Sequence, residues 1–208
     1  MGHRAGMASL KKVVKACDEL GIAILTVVAF STENWKRPSD EVNYLMQLLA
    51  EFMRKELDEL HQNNVRIQVL GDYRAMPADC RIEIKRALEM TRANTGLIFN
   101  IALNYGARQE IMDAAKQLAA QIAAGEIKAE EVNEEIFSRL LYTKGMPDPD
   151  LLIRSSGEKR ISNFMLWQIA YTELVVTDTL WPDFSEIDLI RAVIEYQQRD
   201  RKFGGLSK

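Results

Sequence analysis

The residues with the most evident chemical use lie in one run, Arg154-Ser155-Ser156-Gly157-Glu158-Lys159-Arg160-Ile161-Ser162-Asn163-Phe164, followed by Glu173. Three cations, several hydroxyls and a turn glycine come directly after the apolar Leu151-Leu152-Ile153. Such a loop at the end of a buried strand offers forked guanidinium donors, whose planar geometry meets the oxygens of a doubly charged oxyanion two at a time. Glu173 adds a hard oxygen ligand able to hold Mg2+ against the same anion. Diphosphate binding is the chemistry these residues suit. The alternative reading is a solvated basic loop in which Ser162 caps a helix.

A second polar run, Phe30-Ser31-Thr32-Glu33-Asn34-Trp35-Lys36-Arg37-Pro38, follows Ile22-Ala23-Ile24-Leu25-Thr26-Val27-Val28-Ala29. That apolar stretch is nearly continuous, the pattern of a parallel strand buried on both faces. Open α/β sheets bind ligands beyond the carboxyl ends of their strands. Both polar runs therefore fall where such a sheet places a site.

The elements that must position these loops alternate along the chain. Leu10, Val13, Val14, Cys17 and Leu20 form a helical stripe that Gly21 stops. Asp40 is placed to cap a long helix carrying Val42, Leu45, Met46, Leu49, Phe52, Met53, Leu57 and Leu60. Strands are expected at residues 65–70, 97–103, 151–153 and 174–176. Helices are expected from Pro77 to about Arg92, from Arg108 to Ala124, from Glu130 to Tyr142 and from Glu186 to Gln198, with a short element over residues 164–170. The reading is a single-domain α/β protein spanning residues 1–208, with a mostly parallel central sheet flanked by helices and right-handed crossovers.

At 208 residues, 47% apolar and 27% charged, the composition is that of an ordinary globular domain. A net charge of −3 argues against nucleic-acid binding. No apolar run approaches the roughly 20 residues of a membrane span. Cys17 and Cys80 lack metal-ligand spacing; Cys17 falls on an apolar face, Cys80 is expected half exposed, and a reducing cytoplasm suits both. With only His3 and His61, a three-histidine site is excluded.

The two polar runs resemble the cis-prenyltransferase family. So do Gly2-His3-Arg4-Ala5-Gly6, Asn94-Thr95-Gly96-Leu97, Asn104-Tyr105-Gly106, Ile161 through Gln168, Trp181-Pro182-Asp183-Phe184 and Phe203-Gly204-Gly205, in the family's order over the whole chain. The resemblance implies condensation of isopentenyl diphosphate onto an allylic diphosphate such as farnesyl diphosphate. The product would be a long polyprenyl diphosphate for cell-envelope carrier lipid. It implies Arg154, Arg160 and Ser162 at the isopentenyl diphosphate, and His3 at the allylic diphosphate. It places Ser31 and Asn34 near the reacting groups, Asn34 as a catalytic residue, Phe30 and Trp35 at the substrate, and Arg37 with Glu41 on a loop that closes over the site. Glu173 becomes a catalytic and Mg2+-linked residue. Ala29, Leu45, Leu48, Leu49, Phe52 and Leu97 become lining for an apolar tunnel that stores the growing hydrocarbon. A homodimer is implied, with residues 174–180 and the C-terminal helix as the expected face, in the cytoplasm with peripheral contact at the membrane.

Two departures qualify these expectations. The family opens with a strand and an Asp-Gly-Asn-Gly-Arg-Trp loop whose aspartate is central to catalysis, whereas this sequence starts with Met1-Gly2-His3 and assigns that role to none of its aspartates. The chain as it stands is therefore expected to expose apolar surface and to turn over little, and a non-catalytic partner subunit is the rival reading. Lys202-Phe203-Gly204 stands where the family often has Arg-x-Gly. A dinucleotide-binding protein is disfavoured by the absence of Gly-x-Gly-x-x-Gly. An all-helical trans-prenyltransferase is disfavoured because its paired-aspartate motifs are missing.

Overall fold

The computed structural model describes residues 2–200, so the Lys202-Phe203-Gly204 reading lies outside the described residues. Helix α1 (Gly2–Glu19) leads into strand β1 (Ile24–Ser31), a 3-10 turn (Thr32–Lys36) and the long α2 (Ser39–Gln62). Then come β2 (Arg66–Leu70), α3 (Ala78–Met90), β3 (Ile98–Tyr105), α4 (Ala107–Ala123) and the short α5 (Glu134–Ser138). The chain continues through β4 (Leu151–Arg154), β5 (Glu173–Val176) and α6 (Glu186–Gln197).

Every strand pairing among the described residues is parallel; helical crossovers join the strands of the first sheet, and the long 155–172 loop joins β4 to β5. The strands divide into a three-stranded sheet ordered β1-β3-β2 and a two-stranded sheet of β4 and β5. β3 is central and carries a nearly unbroken buried run. Along α2, Val42, Met46, Leu49, Met53, Leu57 and Leu60 recur at three- and four-residue spacing and are all buried. They enter one core with Leu10, Val13, Val14 and Cys17 of α1 and Phe99, Ile101 and Leu103 of β3.

α1 ties the two sheets together. On one side Arg4 pairs with Glu51, and Lys11 with Glu56 and Glu59, all on α2. On the other, Trp181 Nε1 donates to the Gly6 carbonyl at 3.1 Å and Ser9 Oγ to the Pro182 carbonyl at 2.7 Å. Gly6 lets the two approach closely: a Cβ there would sit 3.1 Å from the Trp181 ring, which would have to shift by a few tenths of an ångström.

Three expectations are corrected. β1, read as buried on both faces, is half open, with Val28 50% exposed and Ala29 exposed. Among the described residues it pairs with β3 alone, and its register slips between Val28 and Phe30, where Val28 and Ala29 emerge. Cys80 is 2% exposed rather than half exposed, because its Sγ donates to the Met46 carbonyl beneath α2. Burial pushes its thiol up, and that of Cys17 up to about 12, so both are inert core groups. The helix expected over residues 130–142 shrinks to Glu134–Ser138. Its amide at Tyr142 donates to the buried Glu110 carboxylate rather than to a carbonyl one turn back.

Candidate functional site

The site is built where β3 ends. At Gly106, directly after β3, a Cβ would meet Thr32 Oγ1 at 2.6 Å and Asn163 Nδ2 at 2.9 Å. Thr32 belongs to the turn after β1 and Asn163 to the loop after β4. The two polar runs singled out from sequence thus converge on one glycine. Asn163 Nδ2 donates to Glu33 Oε1 at 2.8 Å, Asn163 Oδ1 accepts from the Arg108 amide at 2.9 Å, and its carbonyl accepts from the Ala107 amide. Partial burial alone would raise the Glu33 carboxyl. It is outweighed by hydrogen bonds from Asn163, from the Glu33 amide, and from Ser31 and Thr32, which hold the carboxyl below its usual range.

Within the first run, Asn34 Oδ1 accepts from the Ser31 amide at 2.8 Å and closes a capping box. Phe30 is fully buried, and Trp35 stands edge-on to it with centroids 5.0 Å apart. Trp35 is 40% exposed and donates from Nε1 to Asn104 Oδ1 at 2.7 Å, at the end of β3. The first turns of α1 and α2 meet beside it. Arg37 pairs with Glu41 at 2.7 Å, and His3 Nε2 approaches the same carboxylate oxygen at 3.4 Å. Ser31, Asn34 and Trp35 therefore stand at the end of β1 over the buried Phe30, while Arg37 and His3 meet at Glu41 on the first turn of α2.

In the second run, Arg154 closes β4 with its Nε buried and without a hydrogen-bond partner. A buried donor with no partner is costly. Arg154 differs from the other buried unpartnered groups among the described residues, those of His61, Glu83, Asn100, Gln121 and Gln168, in being cationic and at the carboxyl end of a strand. The loop then folds back: the Ser156 amide donates to the Thr179 carbonyl and the Gly157 amide to the Thr177 carbonyl. Arg160 and Ser162 are exposed, and Arg160 leans on Glu158. Ser156, Ser162, Asn163 and Met165 all adopt left-handed backbone, at φ of 69°, 56°, 59° and 47°. The helix that Ser162 would have capped is absent; residues 161–172 run through bends and turns.

Glu173 is placed differently from the rest. It opens β5 opposite Leu151, while Arg154 pairs with Val176. The two are therefore three residues apart along the strands, on the order of 10 Å. The Glu173 carboxylate pairs with Arg199 at 2.8 Å. No group of three or more His, Cys, Asp or Glu able to hold a metal occurs among the described residues. The residues present do not by themselves fit an Mg2+ site, since the one expected carboxylate is already matched by a guanidinium.

Of the expected tunnel residues, Leu49 and Leu97 lie in the main core, Leu45 packs against it, and Ala29 is exposed. Two cavities, of about 190 and 630 Å3, are lined by other residues.

Sequence reasoning passed over Glu110. It is 2% exposed and accepts from Tyr105 Oη at 2.5 Å, the Tyr142 amide at 2.8 Å and Gln168 Nε2 at 3.1 Å. Its signal was positional: Ala107, Glu110 and Ala114 form the buried stripe of α4, and a carboxylate on such a stripe needs partners.

Comparison with known proteins accords with this layout. A family model described as undecaprenyl diphosphate synthase matches residues 1–204. An isoprenyl transferase of Clostridium perfringens is 53% identical over 206 residues, covering 99% of this chain and 81% of that protein. One of Bacillus subtilis is 50% identical over 205 residues, covering 99% and 79%. Among solved structures, lavandulyl diphosphate synthase from Lavandula x intermedia, in complex with dimethylallyl diphosphate, superposes with a TM-score of 0.95. It is 37% identical and covers 98% of this chain and 88% of that one. A probable undecaprenyl diphosphate synthase from Campylobacter jejuni gives 0.84 at 35% identity, covering 97% and 92%. The parallel strands, the converging loops and these likenesses lead to one family: the chain belongs to the undecaprenyl diphosphate synthase family and is a prenyltransferase.

Proposed function

We propose that this prenyltransferase elongates farnesyl diphosphate with isopentenyl diphosphate, setting cis double bonds, to give a long polyprenyl diphosphate of undecaprenyl length. The allylic carbon–oxygen bond breaks and inorganic diphosphate leaves with the bonding electrons. The isopentenyl double bond attacks the freed carbon, and a proton departs from the new chain. The observation that carries the reading is the buried, unpartnered Nε of Arg154 at the carboxyl end of β4. With Arg160 and Ser162 on the exposed loop beyond, it forms a clamp for the isopentenyl diphosphate. Arg160 must leave Glu158 to join it, an exchange that costs little because a surface ion pair is worth about 0–1 kcal/mol.

His3 and Arg37, sharing Glu41, stand for the allylic diphosphate side, with Trp35 as a partly exposed apolar wall and Ser31 and Asn34 fixing the turn between. Ala29, Leu45, Leu49 and Leu97 stand for the hydrocarbon side. Mg2+ dependence is the family's general habit. Glu173 could serve a metal only after parting from Arg199.

A second copy of the chain is the natural cover for the exposed apolar face of Leu174 and Val176 on β5 and Ile187, Ile190 and Ile194 on α6. The spacings put each set on one side of its element, and α6 packs beside β5. Among the described residues, no helix is long and apolar enough to cross a membrane; cytoplasmic action with peripheral membrane contact is the corresponding proposal.

The test is mass spectrometry of products from the chain with both diphosphates and Mg2+, alongside calorimetric binding of isopentenyl diphosphate to wild type and Arg154→Ala. A ladder ending at one long polyprenyl diphosphate establishes the reaction. Binding without product, abolished by Arg154→Ala, supports the clamp alone. The absence of both product and binding refutes the proposal.

A further inference from the structure

We propose that Glu110, acting through the hydroxyl of Tyr105, is a positioning residue that holds the 162–165 segment of the diphosphate-binding loop in its left-handed conformation. The inference rests on the clamp reading of that loop. Its basis is a hydrogen-bond relay wholly inside the protein. Glu110 Oε2 accepts from Tyr105 Oη at 2.5 Å, and the same hydroxyl oxygen accepts from the Met165 amide at 3.2 Å. A hydroxyl has one proton and two lone pairs, so donating to Glu110 fixes the O–H direction and leaves the oxygen's lone pairs to accept from Met165. Burial, with Glu110 beside it, pushes the Tyr105 hydroxyl well above its ordinary value, so it stays a donor.

The loop needs such a hold. Ser162, Asn163 and Met165 are non-glycine residues at positive φ within four positions. Backbone in that region persists only where the surroundings over-determine it. Two fastenings come from the amides of Ala107 and Arg108, which grip Asn163, and the third is the Tyr105 hydroxyl. All three sit at the β3–α4 junction, one turn from Glu110. The carboxylate's other oxygen accepts from the Tyr142 amide and from Gln168 Nε2, which also reaches Thr143 Oγ1 at 3.0 Å. Glu110 thus couples α4, the 141–143 turn and the 165–168 segment through one buried group. Asn163 also meets Glu33 across the site, so a shift at Met165 is expected to disturb both polar loops.

The test uses the full chain as Tyr105→Phe, Glu110→Gln and the double variant. Two readouts are taken: amide hydrogen exchange across residues 161–168 without ligand, and the Kd for isopentenyl diphosphate. Tyr105→Phe keeps the buried ring. It is expected to speed exchange at the Met165 amide about tenfold and weaken binding about three- to tenfold, with little change in the remaining protected amides. Glu110→Gln can still accept from Tyr142 and Gln168 through its carbonyl, so it should affect the loop much as Tyr105→Phe does. The double variant should add less than about twofold to the larger single effect, because both act on one relay. Unchanged Met165 exchange in Tyr105→Phe overturns the proposal, as do effects that multiply in the double variant. If Glu110→Gln fails to fold, Tyr105→Phe decides alone. If wild type binds no isopentenyl diphosphate, the clamp reading fails separately. Faster exchange would then leave only a structural tether, and the positioning role would be refuted.

Discussion

Arg154 should be worth more to the ligand than to the fold, and Arg154→Met separates the two. Its guanidinium Nε is buried with no partner. An unsatisfied buried donor costs about 1–3 kcal/mol. Methionine keeps most of the apolar stem and removes the donor. The variant should therefore be no less stable than wild type, and more stable by about 1 kcal/mol if packing is retained. For a chain of this length that is a rise in Tm of about 2–4 °C. Binding should move the other way. A forked guanidinium–phosphate contact supplies two charge-assisted hydrogen bonds, each worth about 1.5–3 kcal/mol. A net loss of about 3 kcal/mol is roughly a 100-fold weaker Kd. Thermal unfolding and isothermal calorimetry with isopentenyl diphosphate read the two effects on the same preparation. A Tm lowered by several degrees together with a Kd within threefold of wild type would show that Arg154 is a structural residue and that its orphaned nitrogen is no sign of a ligand.

Gly106→Ala tests the convergence of the loops. The residue's φ of −156° is extended backbone open to alanine, so the whole effect is the Cβ meeting Thr32 and Asn163. Calorimetry should show at least about tenfold weaker diphosphate binding, with stability lost by only about 1–3 kcal/mol. Glu33 has a folded carboxyl pKa below its unfolded value, so it stabilises above the unfolded value of about 4.3 and the benefit fades as pH falls through the folded one. The gap between melts of wild type and Glu33→Gln should be constant from pH 7 to about 4.5 and narrow as the pH falls further; a gap that does not narrow at all on acidification would contradict the clip with Asn163. Glu173→Gln should change metal-free isopentenyl diphosphate binding by less than about threefold, because Glu173 lies at the far end of β4 and β5 from Arg154. It should cost stability only about 0–1 kcal/mol through the half-exposed Arg199 pair.

The elements were legible wherever one physical signal governed them. The stripe of α2, the runs of β1 and β3 and the start of α6 at Glu186 all follow from periodicity and caps that act over a few residues. Sequence failed where a distant partner took over a backbone group. Residues 139–142 have helical propensity, but the Tyr142 amide is claimed by Glu110, 32 residues earlier. Met165 carries no turn signature, yet its backbone is left-handed because the β3–α4 junction holds it. The run of β1 by itself reads as doubly buried, since a continuous apolar stretch does not say whether both of its edges find neighbours; the exposed apolar surface at Val28 was expected instead from the family resemblance. At the candidate site, Arg154 stands at the end of β4 and Asn34 and Trp35 in the turn after β1, the loop positions their runs predict. At Glu173 the motif was legible and the ion pair to Arg199 was not.

Backbone strain in this chain is not scattered. Of the six non-glycine residues at positive φ among the described residues, four lie between Ser156 and Met165, and a fifth, Asn104, accepts the Trp35 indole. Each such residue costs about 1–3 kcal/mol. The compensating stability sits elsewhere, in the apolar contacts of α1, α2 and β3. A loop relaxed into ordinary turns would be easier to fold, but its amides and side chains would not face one point. Stabilising substitutions that let Ser162, Asn163 or Met165 return to negative φ should therefore raise Tm and weaken diphosphate binding together. The same substitutions made at Asn64, the sixth such residue, which sits at the α2–β2 turn hydrogen-bonded to Thr95, should affect Tm alone.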